Sequence, residues 1–353
     1  MRFWWGLVVA LLLVGCGSTL VGPDPEEGPE ELFEVFWESY DRHYAHFLLK
    51  DIDWDQVYEQ QRPRVGPETT DDELFEIFAD MITLLEDGHV YVVGDERRAV
   101  SNRHLRAGRS TFDAGVVEKN YLLGTDQEVA DGRIVYGQLD EGIGYIRIGT
   151  LSGGDGFGRR ARGWIEEFDT VMSQLSDASA IVLDLRNNGG GRASNSKYIA
   201  SYFAEERRKF LVTRSRSGPG HEEFSPPRNW YVTPASQDVF TGPVVLLTNR
   251  RTFSAAEWLT LALRQFDHVV HMGTHTGGGL AMFLPRQLSN GWMYTISVQD
   301  TRCPQGRSYE RVGIAPHRYL DVVEDQLDNG RDPMLDAAVE FLQAGEVVDA
   351  HRD

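Results

Sequence analysis

Two short runs that are apolar at nearly every position, AIVLDLR at 180–186 and PVVLLTN at 243–249, most constrain what this chain can fold into. A strand without a polar face has to be covered on both sides. Each run leads through a turn into a helical pattern, NNGGG before SNSKYIASYFA and RRTF before SAAEWLTLALRQF. HVVHMGT and WMYTISVQD read as further strands. GRIVYGQLDEGIGYIRIGTL reads as two strands around a turn at Asp140, Glu141 and Gly142, followed by a helix over roughly 157–175. This β-α-β-α order predicts an α/β layer structure with crossover helices. The stretch RSRSGPGHEEFSPPRNWYVTP, within 213–240, reads as a polar, proline-rich excursion.

The N-terminal part has a different period. Leu32, Val35, Phe36, Tyr40, Tyr44 and Phe47 follow helical spacing, DIDWDQVYEQQRPRV suggests a second short helix ending near Pro63, and Thr70 with Glu73 forms a capping box ahead of Leu74, Ile77, Phe78, Met81 and Leu85. The expected organisation is a small helical bundle over 31–100, an α/β domain over 101–325, and a C-terminal helix and tail over 326–353. MRFWWGLVVALLLVGCGSTL has the layout of a secretory signal over 1–15, too short for a comfortable membrane span. LVGC within it matches the bacterial lipobox, which makes Cys16 a lipidation site; the alternative is an ordinary signal peptide with an incidental cysteine. Gly17 rather than Asp follows, which leans towards an outer-membrane anchor facing the periplasm, with 16–30 as a Gly/Pro/Glu-rich tether.

Charge narrows the partners. Asp and Glu number 54 against 35 Lys and Arg, a formal net charge of -19, which argues against nucleic acid. With Cys303 the only other cysteine, no four-cysteine zinc pattern exists. No cofactor is expected, and no metal. His43 and His46, read as i, i+3 on the first helix, lack a supporting carboxylate pattern; His268 and His271 fall on opposite faces of a strand; His275 reads as a loop histidine.

Four places could carry chemistry. Ser254 stands where strand gives way to helix and is either an N-cap or a nucleophile, with the Ala255 N–H among the first-turn donors. Gly189, Gly190 and Gly191 close the strand at 180–186 and either make a tight turn or present backbone N–H groups to an anion; no nucleotide-binding glycine spacing is present. His89, in LLEDGHVYV, is a structural histidine or a base, and Glu310, in SYERVGIAPH, is a surface carboxylate or a partner to it. Glu257, one turn into the helix after Ser254, reads as packing or a salt bridge.

The motifs LLEDGHVYV, IVLDLRNNGGG, VVLLTNRRTFSAAEWL, GTHTGGGL and ERVGIAPH, in this order, resemble the tricorn and C-terminal-processing family of serine peptidases over roughly residues 31–325. The resemblance implies a ClpP/crotonase-like catalytic domain, a spiral of ββα units, preceded by a helical bundle. It implies Ser254 as nucleophile and an oxyanion hole from the Gly190 and Ala255 amides. One branch of that family uses a lysine base in a T-x-G-K-G loop. Here Gly278 stands at that place, and no lysine follows Lys209. The tricorn-like branch uses an early histidine and a late glutamate, which match His89 and Glu310, although Gly88 replaces the serine that precedes the histidine there. About 50 residues separate His89 from the strand at Gly144, short of the roughly 80–90 a PDZ module needs, so none is expected. Peptide selection would then fall to the bundle, the 213–240 excursion or the cavity of a homo-oligomer. The implied activity is peptide-bond hydrolysis by a membrane-anchored enzyme. The rivals are an apolar-ligand carrier on the same scaffold and acyl-thioester chemistry, the latter disfavoured by acidity and export.

Overall fold

The computed structural model describes residues 28–102, 112–122, 124–140, 142–153, 163–235, 239–320, 327 and 329–346. The signal segment, Cys16, almost all of the tether and the extreme tail lie outside them. Among the described residues, no helix is long and apolar enough to cross a membrane.

The chain opens with helices α1 (Pro29–His43), α2 (Phe47–Lys50), α3 (Trp54–Gln61) and α4 (Asp71–Thr83). Thr70 caps α4 in the expected box with Glu73. The first helix stops at His43, earlier than the apolar spacing suggests, because Tyr44 turns to extended backbone. Two short strands follow, β1 (Tyr91–Val93) and β2 (Arg98–Val100), then α5 (Ala114–Asn120), β3 (Gln127–Val129), β4 (Ile134–Asp140), β5 (Ile143–Ile148), α6 (Gly163–Gln174), β6 (Ala180–Asp184) and α7 (Ala193–Ser201). Next come β7 (Arg208–Ser215), β8 (Arg228–Val232), β9 (Val244–Thr248), α8 (Ala255–Leu263), β10 (Val269–Gly273), β11 (Phe283–Gln287), β12 (Met293–Ser297), β13 (Gln299–Arg302), β14 (Arg318–Tyr319) and α9 (Pro333–Ala344). The supposed excursion is therefore partly sheet: β7 and β8 pair antiparallel and join β13 in a three-stranded layer. Its arginines face aromatic rings, as Arg228 does Trp230 at 4.1 Å, which hides the strand period from a hydrophobicity reading.

The central sheet has seven strands in the order β14-β10-β9-β6-β5-β4-β3, parallel from β14 to β5 and antiparallel beyond. Its apolar strands are covered on both faces, as their composition requires. Ile181, Leu183, Val244 and Leu246 pack with α7 and α8, while Ala180, Val182, Val245 and Leu247 pack with α5 and α9. The helical N-terminal part does not keep its core to itself. Phe36, Phe78 and Trp54 share a cluster with Leu288, Trp292, Tyr294 and Ile296 of the β11–β12 hairpin, and β1 pairs with β12.

At the C-terminal end of β6, Asp184 and Arg186 are fully buried. Arg186 Nε bonds Asp184 Oδ2 at 3.0 Å, its Nη1 reaches Asp332 Oδ1 at 2.8 Å, and Tyr145 O–H donates to Asp184 Oδ2 at 2.9 Å. Asp332 also caps α9. One guanidinium thus ties the turn after β6 to the last helix. Removing it strands two buried carboxylates, so Arg186→Ala is expected to cost about 3–5 kcal/mol, read as a lower denaturation midpoint.

Candidate active site

Parallel pairing of β6 with β9, with Asp184 opposite Leu247, sets the two following turns side by side. They are stapled together. Asn249 Oδ1 accepts the Asn187 N–H at 3.0 Å, Asn249 Nδ2 donates to Asn187 Oδ1 at 2.9 Å, Thr252 O–H donates to Leu185 O at 2.8 Å, and Phe253 N–H donates to Asn188 O at 2.9 Å. Ser254 emerges from this staple as the N-cap of α8 with φ 57° and ψ -123°, a conformation that costs a non-glycine residue about 1–3 kcal/mol. Its hydroxyl faces an imidazole. Ser254 Oγ lies 3.1 Å from His89 Nε2. The two residues are 165 positions apart in the chain.

His89 is held by its backbone and by its ring faces. Its N–H donates to Asp87 Oδ1 at 2.9 Å, and its carbonyl accepts from Thr295 Oγ1 of β12 at 2.6 Å. The ring lies between Phe253, centroids 4.6 Å apart, and Phe283 at 5.0 Å. Nδ1 has no hydrogen-bond partner among the described residues. Burial, helped by the nearby His46 and Lys50 cations and opposed by Asp87, pushes the imidazole down to about 4. His89 is therefore a neutral ring at ordinary pH, able to accept the proton of Ser254.

Glu310 does not touch His89. It is buried, and its Oε1 accepts the Leu280 and Ala281 N–H groups at 2.7 Å each. One of its oxygens lies with a His46 ring nitrogen and an Asp87 oxygen, all within 4.8 Å of one another. These three side chains are the set among the described residues close enough to share a cation. Lys50 Nζ already stands 3.6 Å from Asp87 Oδ2. Burial opposes ionisation of Asp87, but Lys50, then His46 and His89, overturn this and hold its carboxyl well below the ordinary value.

The glycine turn is arranged differently from the expectation. The Gly190 N–H is already donated to Asn188 Oδ1 at 2.9 Å, so an oxyanion would have to compete for it. What Gly190 provides is room: at φ 94°, a Cβ there would lie 2.7 Å from both Phe253 O and Ser254 Cβ and 2.9 Å from Ala255 N. The Ala255 N–H begins α8, where no intrahelical acceptor exists.

Glu257 does more than pack. It is fully buried and accepts from Ser254 N at 3.0 Å, Thr276 Oγ1 at 2.6 Å, Gly278 N at 2.8 Å and Gly279 N at 2.9 Å. Burial, with a smaller contribution from Glu310, pushes its carboxyl up to about 7 against the hydrogen bonds from Thr276, Gly278 and Gly279. It fixes the serine backbone and the 276–279 loop on one group. The S-x-x-E spacing of a capping box was the available signal. At Gly278, a Cβ would meet Gly313 N at 2.7 Å and Tyr309 O at 2.9 Å. Of the other histidines, His271 is structural: its Nε2 lies 2.7 Å from Thr248 Oγ1 and its Nδ1 3.0 Å from Arg264.

Comparison with known proteins gives the family. The profile of peptidase family S41 matches residues 142–320, just over half of the chain, and the tricorn protease C1 domain matches residues 25–83. The chain belongs to peptidase family S41. A carboxyl-terminal-processing protease of Synechocystis sp. is 28% identical over 229 residues, 62% of this chain and 49% of that protein. The chain spans about half the length, or less, of the curated relatives it matches. A putative peptidase from Parabacteroides merdae, solved by crystallography, is 29% identical with a TM-score of 0.81, covering 91% of this chain and 98% of that one. The tricorn protease shares the fold at 16% identity and a TM-score of 0.56, over 90% of this chain and 36% of that one.

The strain at Ser254 gives a direct test. Ser254→Gly should be more stable than Ser254→Ala by about 1–2 kcal/mol, since only glycine tolerates this backbone freely, and thermal unfolding of the two variants measures it.

Proposed function

We propose that this S41 family member is a serine peptidase acting through Ser254 and His89. The observation that carries the reading is the 3.1 Å contact between Ser254 Oγ and His89 Nε2 at a strained strand-to-helix turn. An apolar-ligand carrier has no need of that arrangement. His89 Nε2 accepts the hydroxyl proton as Oγ attacks a peptide carbonyl, and the same ring returns the proton to the leaving amine. Water, activated by the same nitrogen, then releases the acyl group. The Ala255 N–H is the proposed oxyanion donor, and Gly190 joins it only by exchanging Asn188 for the substrate oxygen. Glu310 acts as the late carboxylate of the set without direct contact to the base.

The cell-envelope placement is part of the proposal and rests on sequence. LVGC makes Cys16 the lipidated residue and the outer membrane, facing the periplasm, the site of action. Labelling with palmitate that persists in wild type and vanishes in Cys16→Ser is the expected result.

A fluorophosphonate probe should label wild type and not Ser254→Ala, while His89→Ala should lose roughly 10⁴-fold in hydrolysis of a peptide substrate. Turnover retained by Ser254→Ala would end the assignment. Because His89 is held down at about 4, kcat/KM should stay level as pH falls and drop only near pH 4, rather than near the ordinary 6.5. A pH–rate profile checks it.

A further inference from the structure

Beside His89 lies a buried set of charges whose grouping the hydrolytic chemistry does not explain. His46 comes from the bend after α1, Lys50 from α2, Asp87 from the turn before β1 and Glu310 from the loop after β13. His46 and Asp87 have no side-chain exposure, and Lys50 has 4%. His46 Nδ1 lies 3.4 Å from Asp87 Oδ2, and Glu310 closes the group within 4.8 Å. His46 Nε2 lies 2.9 Å from the carbonyl of Gln299. A carbonyl only accepts, so Nε2 carries a proton. The question is whether Nδ1 carries one as well.

Two backbone N–H groups donated to Glu310 Oε1 favour its ionised form, and with both carboxylates ionised, charge balance answers the question. With Nδ1 bare, a lone pair would face two carboxylates, and Lys50 alone would offset them. With Nδ1 protonated, two cations meet two anions. An uncompensated buried charge is costly, whereas a balanced set is tolerated. Tyr44 O–H at 3.1 Å and Lys50 both already face Asp87 Oδ2. A divalent cation on the same donors would bring three positive charges to two negative ones, which makes the proton the better-balanced occupant.

We infer that His46 is a positioning residue, an imidazolium clamped between Asp87 and Glu310 that keeps both carboxylates ionised and so couples the late glutamate to the turn carrying His89. Burial disfavours the charged ring, yet Glu310 and Asp87 more than offset it and raise its pKa above 6.5. Without His46, Glu310 is the group that takes up the proton, since burial already pushes its carboxyl up. The group would then stay neutral overall but lose its second carboxylate. Above its own pKa, His46 loses its proton, the group becomes net negative, and the clamp loosens. The groups that face it are Asp87, Glu310, Lys50, Tyr44, His89 and the Gln299 carbonyl. His46 therefore sets an alkaline limb of activity, while His89 sets the acid one.

The kinetic part rests on the peptidase reading, and the first test does not. In 15N-histidine-labelled Ser254→Ala protein, the nitrogen spectrum at pH 7 should show both ring nitrogens of His46 protonated and His89 neutral, with His46 reverting towards an ordinary titration in Glu310→Gln. In the active protein, His46→Gln should lower kcat about 100-fold with KM little changed, and abolish the alkaline limb. A neutral His46 at pH 7, or an unaltered kcat and pH profile in His46→Gln, overturns the inference. So does one zinc per chain that is retained on dialysis and lost in His46→Gln. If His46→Gln fails to fold, the spectrum of the Ser254→Ala protein still decides. A Ser254 inert to the fluorophosphonate alongside a doubly protonated His46 would sink the peptidase reading while leaving the charge assignment standing.

Discussion

The parallel register of β6 against β9 is the constraint on which the site depends. It puts the ends of two buried strands at one level, so that a glycine turn and a serine turn emerge as neighbours. The Asn187–Asn249 pair and the Thr252–Leu185 bond then make the two turns one unit. A slip along the strands would separate Gly190 from Ser254, and the close approach of the two backbones would vanish. The strained angles at Ser254 persist because these bonds, with Glu257 holding the serine N–H, over-determine them.

The imidazole arrives from elsewhere. His89 belongs to the helical N-terminal part, but its carbonyl is held by Thr295 in a strand from the far end of the chain. Tyr40 O–H binds the Thr295 carbonyl at 2.8 Å, and β1 pairs with β12. The shared aromatic core of Phe36, Phe78 and Tyr294 makes this junction stiff. The helical segment is thus better described as a buttress that brings an imidazole to Ser254 than as a domain with its own core.

Much of this was legible in the sequence. The apolar runs announced doubly covered strands, Thr70 and Glu73 announced the start of α4, and Ser254 stood out at a strand-to-helix junction. What was not legible depends on convergence. Tyr44 and Phe47 continue the helical spacing of α1 and so hide the bend that frees His46. Phe47 instead packs on Trp54, and Tyr44 on Phe47. His46 then sits where no helix-face argument would put it. Asp87 is two residues before His89, the spacing at which a carboxylate can accept its neighbour's N–H, yet its link to Lys50 and Glu310 requires three separate segments to meet. The Asn188 bond to the Gly190 amide is local, and DLRNNGGG contains both partners, but residue types alone do not show that the asparagine side chain turns back onto that amide.

The crowding at Gly278 limits what mutation could place there. The backbone of 309–313, the stretch that carries Glu310, fills the volume a side chain at 278 would enter. Any side chain at 278 would have to displace that backbone, so a point change there is sterically closed unless the loop carrying Glu310 is rebuilt with it.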